Sequence, residues 1–169
     1  MANNQDGMRK LLAALRPDEN SAEHNMDSRS VYVINGAPGS GKTTWALQKM
    51  APGDLLVDTD YICAALCGTA ALYTDHEPVL NLALDLSERL YDSIEKRHGK
   101  WNNAFVITTS ADKKKVDALV DRLGGQLVQM DATLDQCINN IENDQRRTGK
   151  TELFTDLARE WYWKRNAQA

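Results

Sequence analysis

The residues Gly36-Ala37-Pro38-Gly39-Ser40-Gly41-Lys42-Thr43 place glycines, a lysine and a hydroxyl at the spacing GxxxxGK[ST], and Thr44 follows. Glycines let backbone N–H groups turn inward around phosphate oxygens, and a helix beginning at the lysine adds its partial positive end. A lysine at this position reaches β and γ phosphates, and the adjacent hydroxyl is a ligand for Mg²⁺. Gly36 to Thr44 are therefore expected to hold the polyphosphate of a nucleotide. A glycine-rich turn that merely contains Lys and Thr is the competing reading. The motif directly follows the β-branched run VYVIN and directly precedes a helix-like segment, the context that favours phosphate binding.

Carboxylates decide what is done with the phosphate. Proteins that hydrolyse nucleotides end the strand beside the phosphate-loop strand in Asp, often followed by a Glu that orients water. The candidate for that strand, AFVITTSAD, ends in Thr108, Thr109 and Ser110, so the hydrolytic signature is missing. Asp58 and Asp60 instead follow the run LLVDTDYICAAL, at an edge that opens on the same crevice in a doubly wound sheet. There either carboxylate is placed to accept the proton of an incoming hydroxyl or to hold the metal, and Asp58 is expected to assist metal or acceptor positioning. Both also read as strand-end turn and helix-cap residues.

The combination of GAPGSGKTT with VDTD and a short helix resembles the small P-loop kinases grouped with polynucleotide 5′-kinases and zeta-type toxins, a group that includes many small kinase-like proteins carried by phages. The resemblance spans roughly residues 31 to 150. It implies an α/β P-loop NTPase fold of the nucleotide-kinase kind, a three-layer sandwich around a mainly parallel sheet of four to five strands. It implies ATP and Mg²⁺ as cofactors and Lys42, Asp60, Arg146 and Arg147 as catalytic residues. Asp60 matches the general base, and TLDQCINNIENDQRRTGK matches a lid that brings Arg146 and Arg147 to the phosphates. Polynucleotide kinases carry an Arg three residues after the catalytic Asp, where this chain has Cys63, and no fifth strand is evident after the lid. The implied activity is transfer of the γ-phosphoryl of ATP to a hydroxyl, with a polynucleotide 5′-hydroxyl as the leading acceptor. A small metabolite or nucleoside is the alternative, and a slowly hydrolysing nucleotide-binding module with a protein partner at its termini is the rival from another class. No NKxD motif reads a guanine base.

These residues need a scaffold, and the rest of the chain supplies its pattern. VYVIN, DLLVD, NAFVITT and QLVQMD are short enough for strands of a buried parallel sheet. Val79, Leu82, Ala83, Leu86 and Leu90 recur at helical spacing, as do Val116, Leu119, Val120 and Leu123, each forming one apolar stripe. Pro78 suits a first helical turn and Gly124-Gly125 a helix stop. In the last helix Phe154, Leu157, Ala158 and Trp161 share a face, with Tyr162 and Trp163 elsewhere. Residues 1–30, with the helical patch MRKLLAALR and a polar run, read as an extension; 31–169 read as the kinase-like domain, with a lid around 143–152.

With 169 residues and 42% hydrophobic content, the chain buries a core of ordinary size. A net charge of −4 argues against coating nucleic acid by charge alone. Lys113 to Lys115, at a helix start, form a cluster that a solvated face or an anion partner would explain. The three cysteines include no CxxC pair, and His24, His76 and His98 have no catalytic spacing. No apolar run approaches a membrane span, so a cytoplasmic protein with no membrane partner is expected.

Overall fold

The structure is a computed structural model that describes residues 29–73 and 76–167. His24, MRKLLAALR and most of the N-terminal extension lie outside those residues.

Short β-branched and aromatic runs form the four strands. They are β1 (Val31–Asn35), β2 (Leu55–Val57), β3 (Ala104–Thr108) and β4 (Gln126–Gln129), in one sheet of order β2-β3-β1-β4 with every pairing parallel. Among the described residues no fifth strand is present, so the sheet stands at the lower bound of the expected four to five. The register aligns Val33 with Val106 and with Leu127. Helices α1 (Lys42–Lys49), α2 (Thr59–Leu66), α3 (Glu77–Glu95), α4 (Lys113–Leu123), α5 (Leu134–Glu142) and α6 (Thr151–Asn166) connect and follow the strands.

Alternation along each strand divides the core into two layers. Val31, Val33, Val57, Ala104 and Val106 face α3 and α4, packing with Ile94 and Leu123. Ile34 and Phe105 face the other way, against Ala46 and the half-buried Trp45 of α1. A third cluster joins Ala37 to Cys137 and Ile141 of α5 and to Ala158 and Trp161 of α6, so the last two helices pack on the phosphate loop itself. On α6 the apolar face is rotated from expectation. Thr155, Ala158 and Trp161 are buried, whereas Leu157 is 40% exposed and opens on a cleft.

The lysine run at the start of α4 has a local explanation. Asp112 caps that helix by accepting from the amides of Lys114 and Lys115, and Lys113 Nζ lies 2.5 Å from Asp117 one turn on. Those lysines do not line the cleft. No helix among the described residues is long and apolar enough to cross a membrane.

Candidate functional site

β1 lies inside the sheet, with β3 on one side and β4 on the other. The chain leaves β1 toward β2 and β3 and only later places β4 on the opposite side. That reversal opens a crevice at the strand ends, the position where open α/β sheets bind ligands. The phosphate loop spans it. Gly39 and Gly41 adopt φ of +79° and +86°, and Gly41 is the N-cap of α1. No side chain caps α1 and no acidic residue stands in its first turn, which leaves its N-terminal amides for an anion.

The loop is held by what packs beneath it. Asn140 Nδ2 donates to the Gly39 carbonyl at 2.9 Å. A Cβ on Gly39 would run into the Cys137 carbonyl oxygen and stand 2.8 Å from Ile141 Cγ1, both on α5. Gly39→Ala therefore combines a disfavoured φ with a backbone collision. Its unfolding free energy in urea is expected to fall by about 2 kcal/mol or more, and an unchanged midpoint would refute this account of the loop.

Lys42 Nζ donates to the carbonyls of Gly36 and Ala37, both at 2.8 Å, and the residue is 7% exposed. Burial pulls its pKa down to about 8, while Asp58 opposes the shift. Ser40 Oγ, beneath the loop, is buried without a hydrogen-bond partner.

The two carboxylates divide their contacts. Asp58 accepts from the Thr43 hydroxyl at 2.8 Å through Oδ2 and from the Asp60 amide at 3.0 Å through Oδ1. It is thus the N-cap of α2, as one reading of the sequence expected, and also the hydrogen-bond partner of the Thr43 hydroxyl. Mg²⁺ favours one or two protein oxygens completed by waters and phosphates, and the Thr43–Asp58 pair fits that requirement. Among the described residues no cluster of three or more His, Cys, Asp or Glu could hold a metal. Asp60 stands in the first turn of α2, its carboxyl pushed up to about 6 by burial and then by the neighbouring charge of Asp58.

Arginines approach from the far side on a 3₁₀ turn (Gln145–Arg147) between α5 and α6. Asp144 caps that turn and accepts from both. Arg146 reaches it through Nε at 2.8 Å and NH2 at 2.9 Å, and Arg147 through Nε at 3.2 Å. The two guanidinium groups hold the Asp144 carboxyl below the ordinary range, Arg146 contributing most. Arg147 is 9% exposed and packs against the rings of Tyr73 and Phe154, 4.5 and 4.4 Å from their centroids. It donates NH2 to the Tyr73 hydroxyl at 3.1 Å, and NH1 is buried without a partner.

One cleft of about 970 Å³ gathers Pro38, Gly39, Gly41, Lys42, Thr43, Thr44, Asp58, Asp60, Arg146 and Arg147. Gly36, Ala37 and Ser40 lie buried under it. Sequence reasoning did not find Asp144, Tyr73 or Asn140, all of which line the cleft. Asp144 carried a usable signal, since a carboxylate just before two arginines at a helix end is a cap. Tyr73 and Asn140 carried none. Cys63 is 1% exposed and does not line the cleft, so an arginine at that position could not serve it without leaving the core.

No protein-family model matches the chain and no curated protein is similar to it in sequence. Among solved structures it is similar to a chain of the Pnkp1/Rnl/Hen1 RNA repair complex, at 16% identity and a TM-score of 0.54, over 87% of this chain and 49% of that one. This chain therefore spans about half the length of that protein. It is also similar to the Deinococcus radiodurans tunicamycin resistance protein, at 15% identity and a TM-score of 0.43, over 80% and 95% of the respective chains. The likeness to the repair-complex chain is a likeness of fold: a parallel four-stranded α/β sheet flanked by helices.

Proposed function

We propose that the protein is an ATP-dependent phosphotransferase that moves the γ-phosphoryl to a hydroxyl acceptor. The observation that carries this reading is the single cleft in which a glycine-rich loop with Lys42 and the Thr43–Asp58 pair faces a separate carboxylate, Asp60. The fold shared with a chain of an RNA repair complex is compatible with this reading.

The loop amides and Lys42 bind and orient the polyphosphate, with Arg146 and Arg147 as the cations available from the lid around 143–152. Thr43 and Asp58 would hold Mg²⁺, which when bound neutralises charge on the phosphate oxygens. Asp60 takes the acceptor's hydroxyl proton as the new O–P bond forms. The bond between the γ phosphorus and the β–γ bridging oxygen breaks, and ADP leaves. The end of β3 offers Thr108, Thr109 and Ser110 with no carboxylate to orient water, which favours transfer over hydrolysis.

The test is a transfer assay with γ-labelled ATP, Mg²⁺ and a panel of hydroxyl compounds, counting ADP against labelled product. Equal amounts support transfer; ADP formed at the same rate without acceptor would favour the slowly hydrolysing module. The pH profile adds a signature with a definite sign. Asp60 works deprotonated, so kcat/KM should rise through about pH 6. Lys42 binds phosphate protonated, so kcat/KM should fall above about pH 8. Bound polyphosphate favours the charged lysine, so the alkaline limb should move upward in kcat. A profile flat from pH 5 to pH 9, values chosen to bracket about 6 and about 8, would remove both assignments.

A further inference from the structure

We infer that the acceptor is an uncharged hydroxyl compound with an apolar body and not the end of a nucleic acid, an inference that rests on the phosphotransferase reading above. The first support is a census of charge. Among the described residues that line the cleft the cations are Lys42, Arg146 and Arg147, and the carboxylates are Asp58, Asp60 and Asp144. Each cation has a place already. Lys42 lies on the phosphate loop, and both arginines are bound to Asp144. ATP brings several negative charges to these groups. A polynucleotide brings another with every nucleotide beyond the first, and its grip depends on lysines and arginines that neutralise them. Near Asp60 the neighbouring Asp58 adds negative charge, and the positive charges that reach it are those of Arg147 and Lys42, the same groups that face the polyphosphate.

The second support is the apolar part of the cleft's lining. Leu84 and Tyr91 reach the cleft from α3, which packs on α2, the helix that carries Asp60. Leu157 and Phe154 reach it from α6, where the Phe154 ring meets Tyr73. Leu84 and Leu157 are 47% and 40% exposed, and Leu80 and Leu153, one turn away on the same helix faces, are 42% and 53% exposed. Leu84 and Leu157 in the lining, each continued by an exposed leucine one turn away, with Thr108, Thr109 and Ser110 as neutral polar groups of the same cleft, make a site that buries apolar surface and fixes orientation by a few hydrogen bonds. A chain of phosphates gains nothing from such a rim.

The comparison that isolates the phosphate uses one acceptor body with and without it. A nucleoside and its 3′-monophosphate offer the same 5′-hydroxyl, and aryl glucosides and 5′-hydroxyl oligonucleotides extend the two classes. With γ-labelled ATP and Mg²⁺, kcat/KM is expected to be at least about tenfold higher for the neutral member of each pair, and insensitive to salt between about 50 and 200 mM. Leu84→Ala should raise the KM of the neutral acceptor about tenfold. Leu84→Lys combined with Leu157→Lys should shift the preference toward the 3′-monophosphate. Preference of the unaltered protein for the 3′-monophosphate or the oligonucleotide overturns the inference while leaving phosphotransfer standing. If no compound is labelled although calorimetry detects ATP binding, the phosphotransferase reading itself falls, and the acceptor assignment with it.

Discussion

Asp60→Asn is expected to lower phosphoryl transfer by about 10²-fold or more while leaving ATP affinity intact or slightly improved. The amide keeps the size of the carboxylate but cannot take the acceptor's proton. It also removes a negative charge whose neighbours include Lys42, so polyphosphate binding should not suffer. General damage to the fold would mimic the loss of rate, and stability separates the two. The Asp60 carboxyl titrates near 6 in the folded protein, above its ordinary value of 3.8. The folded state thus holds the proton more tightly, so stability due to this group is present below the ordinary value and lost as pH rises through about 6. Asp60→Asn abolishes that loss. The variant should be more stable than the parent at pH 8 by about 2 kcal/mol, with the advantage vanishing in acid. Thermal denaturation at both pH values, beside the transfer assay, reads this directly. A variant that is both slower and less stable at pH 8 would assign Asp60 to the structure and not to the chemistry.

Much of this arrangement was legible because its signals are local. VYVIN, AFVIT and their kin are β-branched and short, and α4 runs from the Asp112 cap to Gly124, where φ is +56°. The strand order was not legible in the same way, since placing β3 between β1 and β2 depends on contacts between residues far apart in the chain. Thr43 and Asp58 stood out as separate candidates, and their 2.8 Å hydrogen bond follows from where β2 delivers the start of α2. The lid shows the limit most clearly. The resemblance put Arg146 and Arg147 on a lid, and nothing in the sequence indicated that Arg147 packs against Tyr73 from before α3 and Phe154 from α6. No spacing rule connects three such residues; only the packing of α6 near the end of the sheet does. Cys63 illustrates the reverse error of position. It matches an arginine site by count from Asp60, but the turn of α2 carries it into the interior.

Lys42→Ala is expected to weaken ATP binding by about 10²-fold or more, because charge-assisted hydrogen bonds to phosphate are among the strongest the loop can make. The geometry gives this substitution a second, opposite signature. In the folded protein Lys42 is buried on two carbonyls and its pKa is drawn from 10.5 down to about 8. The unfolded chain therefore holds that proton more tightly, and the stability of the parent should rise between about pH 8 and 10.5 as the folded lysine releases it first. Without the lysine that rise disappears. Lys42→Met makes the sharper comparison, since it preserves the apolar stem under the loop while removing the charge. Calorimetric titration with ATP and Mg²⁺ should show the same loss for both variants. Denaturation at pH 7 should show Lys42→Met at least as stable as the parent, because a desolvated cation has been replaced by an apolar group of similar length. If both variants bind ATP like the parent, the loop holds no polyphosphate and the lysine serves only to tie Gly36 and Ala37 together. If binding is lost along with stability, the two carbonyls needed their donor, and the phosphate-binding role would have to be shown by Lys42→Arg. That variant keeps the charge on a longer, planar head, so ATP binding retained by Lys42→Arg and lost in Lys42→Met would identify the charge as what the phosphates need.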